Sequence, residues 1–85
     1  MPVISRFYGI VISMNSDDHP PPHFHVKYAE HKATVSIATG RVTDGSIPAR
    51  AFRLVQEWWE LHRLELEENW ARFEEELPFL PIEPL

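Results

Sequence analysis

The sequence predicts an α+β fold: a small antiparallel sheet of three to four strands, then a long C-terminal helix packed on one face, then a Pro-rich tail. Three observations carry this. The segments "HFHVKY" (23–28) and "KATVSIA" (32–38) alternate apolar and polar residues with the period of half-buried strands. Ala51, Leu54, Val55, Trp58, Leu61, His62, Leu66, Trp70 and Phe73 recur at threes and fours, the period of an amphipathic helix. Between Pro48 and Glu75 no Pro or Gly interrupts that pattern, whereas both punctuate the chain on either side.

Taken in order, residues 3–14 ("VISRFYGIVISM") are β-branched and aromatic with apolar residues at both parities, which suits one strand covered on both faces. Gly9 in its middle suggests a bulge or a close approach by another backbone. Asn15 to Pro22 form a turn followed by a stiff, extended proline run. In the hairpin that follows, Phe24, Val26, Tyr28, Val35 and Ile37 face the helix, and His23, His25, Lys27, Thr34 and Ser36 face away. A turn at Glu30-His31 would oppose Lys27 to Thr34 and His25 to Ser36, avoiding a directly opposed Lys27–Lys32 pair. A short further strand runs through Arg41-Val42-Thr43, with a turn at Asp44-Gly45-Ser46.

Pro48 suits the first position of the helix, with Ser46 or Ile47 as its cap. A straight helix over 48–75 would be about 42 Å long, so it must bend, split near 62–66 or overhang the sheet. Glu74, Glu75 and Glu76 sit at the unfavourable end of the dipole, so the last turn should fray. The tail "LPFLPIEPL" has a polyproline period but is too apolar for a free linker; it should pack on the domain or on a second subunit.

An 85-residue chain forms one domain, here a sheet over 1–43, a helical region over 47–76 and the tail over 77–85. No run is apolar enough to span a membrane, and "MPVISRFYGI" lacks the form of a signal peptide, so a cytoplasmic protein is expected. With no cysteine, disulfides and thiolate chemistry are excluded, and any metal would be held by His, Asp or Glu. The net charge of −5 disfavours nucleic acid as a partner.

The segment "DDHPPPHFHV" (17–26) concentrates the chemistry. His23 and His25 are two apart on a strand, so their rings share a face. With Asp18 and His19 from the preceding loop they form a candidate site for a divalent transition metal, of the kind Zn, Ni, Fe or Mn accepts. Three open alternatives remain: such a metal centre; a purely structural polar face; and metal-free catalysis with a histidine as general base and Arg6, Lys27 or Lys32 steadying a phosphate. Trp59, Trp70, Phe73 and Phe79 are candidates for an interface, as exposed aromatics are enriched there. His62 reads as a hydrogen-bonded core or interface histidine, and Arg50 with Arg53 as solvated charge.

The stretches "ISRFYGI", "DDHPPPHFHVKY", "KATVSIATG", "IPARAFRLVQEWWELHRLELEENW" and "IEPL" together resemble a bacterial family catalogued as domain of unknown function 4160. The likeness rests on Asp18-His19, on Pro21 to Val26, and on Glu57-Trp58 and Leu61-His62; the extra proline and Trp59 look like local variation. The resemblance implies a small standalone prokaryotic protein and brings no catalytic residue with it. It also implies a partner: genes of this kind often neighbour a second small family, domain of unknown function 2442, in an arrangement similar to a toxin–antitoxin pair. The expectation is therefore an interaction protein, one half of a two-protein module, associating with that neighbour or with itself. The alternative is a metal-dependent hydrolase or ribonuclease-like toxin acting through residues 17–25.

Overall fold

A computed structural model describes residues 2–85. Five strands form one antiparallel meander in chain order: β1 (Val3–Phe7), β2 (Ile10–Ser13), β3 (His23–Tyr28), β4 (His31–Ser36) and β5 (Val42–Ser46). The helix α1 (Ala49–Glu74) follows and covers one face. The core joins Ile10, Ile12, Phe24, Val26, Val35 and Ile37 of the sheet to Ala51, Val55 and Trp58 of the helix, as the alternation and the helical period require.

The sheet has one strand more than expected because residues 3–14 are a hairpin. Tyr8 and Gly9 both take left-handed backbone conformations (φ 49° and 80°), as a two-residue hairpin turn needs, and Phe7 pairs with Ile10 across it. The aromatic side chain of Tyr8 masked that turn in the sequence. The β3–β4 register also differs from expectation. The loop is Ala29-Glu30, so Lys27 lies opposite Lys32 and His25 opposite Thr34. Ala29 makes this tight closure by adopting φ 53°.

Asp44-Gly45-Ser46 is strand rather than turn. Gly45 (φ 72°) pairs with Ala33 beside an irregularity at Thr34/Val35, and a Cβ there would run into the Lys32 carbonyl. Ser46 is thereby committed to β5, and the helix is capped by Pro48 in an extended conformation (ψ 145°) without a side-chain cap.

The helix is 26 residues long, about 39 Å if straight, yet the molecule's longest dimension is 34 Å. It breaks at His62 (φ −122°, ψ 19°), whose Nδ1 lies 2.6 Å from Glu65 Oε1. The segment before the break buries Ala51, Val55 and Trp58, and the segment after it buries Leu66, Asn69 and Trp70 instead of overhanging. Its end is closed, not frayed: Glu76 turns left-handed (φ 61°) and brings the Leu77 N–H to the Arg72 carbonyl at 2.8 Å.

The tail then runs back along the domain. Ile82 is buried and its N–H donates to Ile4 O at 2.8 Å, while the indole N–H of fully buried Trp58 donates to Glu83 O at 2.8 Å. Arg72 Nε donates to Pro78 O at 2.7 Å. Among the described residues no helix is long and apolar enough to cross a membrane.

Candidate metal centre

Asp18 is positioned by the turn that precedes the prolines. Its Oδ2 accepts the Asn15 N–H at 3.1 Å, its own N–H donates to Asn15 O at 3.1 Å, and Asn15 Oδ1 accepts the Asp17 N–H at 3.0 Å. This is the side-chain-to-backbone bonding that Asn and Asp bring to turns. The carboxylate is thereby folded inward, with its side chain only 10% exposed.

Pro20 to Pro22 carry the chain to β3, and the Pro22 carbonyl accepts the Ile37 N–H at 3.1 Å, locking the segment to the sheet. On β3, His23 and His25 project from one face with ring centroids 5.1 Å apart, edge to face. The His23 ring also lies 5.5 Å from Trp70, so the second helical segment walls one side of the cluster.

His25 Nε2 lies 3.0 Å from both Asp18 oxygens, and His23 Nε2 lies 3.4 Å from Asp18 Oδ1. The other nitrogen of His23, Nδ1, lies 2.8 Å from the Pro21 carbonyl, which can only accept, so Nδ1 carries a proton and donates it there. One ligand atom from each of Asp18, His23 and His25 falls within 4.8 Å of the others, making these the one such group among the described residues. Separations of 3.0 and 3.4 Å are hydrogen-bond and ion-pair distances, and they also leave these atoms close enough to share one ion.

His19, expected with them as a ligand, is exposed and outside the group; so is Asp17. The four candidate interface aromatics each have a partner within the chain. Trp59 donates its indole N–H to Ile37 O at 2.7 Å and carries the Arg63 guanidinium 5.4 Å from its ring. Trp70 is buried against Phe73 (4.9 Å), and Phe73 stacks on Phe79 (6.2 Å). Asn15 and the Pro21 carbonyl, which orient the cluster, were not singled out in the sequence. Asn15 carried an Asx-turn signal, whereas no side chain announces a carbonyl.

The architecture is that of a small α+β domain with a carboxylate and two imidazoles converging at the start of its central strand. The family model for a domain of unknown function, DUF4160, matches residues 9–71, and the chain belongs to that family. The matched span holds the whole cluster, β2 to β5 and most of α1, and ends before the tail. Comparison with curated proteins and with solved structures gives no match.

Proposed function

We propose that Asp18, His23 and His25 bind a divalent transition metal and that the protein is a metal-dependent hydrolase. One observation carries this reading. With Nδ1–H of His23 donating to Pro21 O, the neutral ring presents a lone pair from Nε2 towards the Asp18 carboxylate 3.4 Å away. Two acceptors facing each other repel unless a cation lies between them. A metal shared with His25 supplies that cation, and the Pro21 carbonyl plays the part that outer partners play for metal-bound histidines, fixing tautomer and ring orientation. Three protein ligands would leave coordination positions open, and a metal there would supply an acidified water as nucleophile near neutral pH.

The competing cation is a proton on His23. Long-range nitrogen–proton NMR of the imidazoles separates the two. Zinc should shift Nε2 of His23 and His25 while leaving His19, His31 and His62 unmoved. A His23 protonated on both nitrogens and indifferent to zinc would overturn the proposal.

A second reading has its own observation. Leu61 and Leu64 are 65% and 79% exposed on the outer flank of the helical break, where they touch solvent rather than core. They suit the small protein partner, encoded nearby, that the family resemblance implies. Co-purification with that neighbour should be lost on changing both leucines to Glu; unchanged co-elution would sink this reading.

A further inference from the structure

On the face of the sheet that bears Arg6, Lys27 and Lys32 these three residues are exposed, and the cross-strand rows follow from the register. Arg6 pairs with Val11, Val11 with Lys27, and Lys27 with Lys32, so three cations and one valine form a single row across β1 to β4. At about 4.8 Å between strands this row is about 14 Å long. The next row on the same face joins Ser13, His25, Thr34 and Asp44.

Arg6, Lys27 and Lys32 have no ion-pair partner among the described residues, a condition they share with the other Lys and Arg there except Arg63; what sets this row apart is that two of its cations face each other. Lys27 and Lys32 are directly opposed, an arrangement that destabilises a sheet, and an alternating strand has no structural need of it. A shallow groove of about 550 Å3 lies along these rows, lined by Val3, Val11, His25, Lys27, Lys32 and Thr34 among others. That volume is the size of a small-molecule site, with apolar walls and a few convergent polar groups.

We infer that this groove binds a small phosphate ester of about nucleotide size, with its phosphate between Lys27 and Lys32 and its organic body along Val3 and Val11. Two ammonium groups with no carboxylate within ion-pair distance suit a dianionic phosphate, and such charge-assisted hydrogen bonds are the strong ones. His25 belongs both to this groove and to the Asp18–His23–His25 cluster, and on a strand it stands about 7 Å from Lys27 on the same face. The groove therefore shares His25 with the proposed metal cluster, whose other two members lie outside it. The binding claim stands on the lysine row, and only its link to hydrolysis rests on the metal reading. Asp44, which also lines the groove, opposes an anion and sets the sign of one test.

The test is titration of 15N-labelled protein with inorganic phosphate and with adenosine monophosphate in EDTA, so that metal plays no part. Amide shifts should concentrate at Lys27, Lys32 and Thr34. Lys27→Gln with Lys32→Gln should weaken binding about tenfold or more while raising the melting temperature, because the opposed charges are gone. Asp44→Asn should tighten it. An absence of shifts at millimolar adenosine monophosphate, or equal binding by the double variant, would overturn the inference. Zinc affinity measured on the same double variant keeps the two proposals apart, since loss of phosphate binding with zinc binding intact concerns the lysines alone.

Discussion

Asn69 of the helix holds Leu80 of the tail by both backbone groups: Nδ2 donates to Leu80 O at 2.9 Å, and Oδ1 accepts the Leu80 N–H at 2.8 Å. The side-chain amide thus stands in for a neighbouring strand, at a position only 1% exposed. It joins the segment beyond the helical break to a tail that also supplies Ile82 to the core and a carbonyl to Trp58.

Asn69→Ala should therefore cost about 1–3 kcal/mol, since it removes two part-buried hydrogen bonds to the Leu80 backbone. Removing residues 77–85 should cost more, because it also exposes Trp58 and deletes Ile82. Urea denaturation reads both; a midpoint unmoved by either change would contradict the role assigned to the tail.

Gly40 lies under Trp59, and a Cβ added there would come within 2.7–2.8 Å of the indole ring atoms while the backbone stays at φ 71°. Gly40→Ala should destabilise by about 1–3 kcal/mol through overpacking and left-handed strain together. Trp59 fluorescence should change as the ring is lifted from Ile37. An alanine variant with wild-type stability and spectrum would mean that this contact is slack.

Ala29 carries the opposite expectation. At φ 53° its Cβ is a liability, so Ala29→Gly should stabilise by up to about 1 kcal/mol, the relief of left-handed strain exceeding the entropy glycine adds to the unfolded chain. Thermal melting compares the two; a clear loss of stability would show that the Ala29-Glu30 turn is not under strain.

The elements that were legible in the sequence are those in which burial sets a period. The alternation in 23–28 and 32–37 gave the inner face of the sheet directly, because only one parity can reach the core, and the threes and fours from Ala51 to Phe73 gave that of the helix except at Leu61, which is 65% exposed beside the break at His62. Backbone exceptions were hidden. Tyr8 and Ala29 take left-handed conformations that neither residue advertises, and each shifted a strand boundary or a register. The cluster was half legible: two histidines on one strand had to share a face, but whether Asp18 or His19 met them depended on how Asn15 and the prolines turn the loop. Asn69 read as one more polar residue on a helix, since its partner lies eleven residues away in a tail whose path no periodicity describes.

The most direct test of a metal centre at Asp18, His23 and His25 is the metal content of tag-free protein by mass spectrometry, followed by zinc titration against the His23→Gln/His25→Gln double variant. One equivalent per chain is expected, with affinity falling at least about a hundredfold in the variant and zinc raising the melting temperature of the wild type alone. Protein that takes up no stoichiometric metal, or a variant that takes up as much as the wild type, would contradict it.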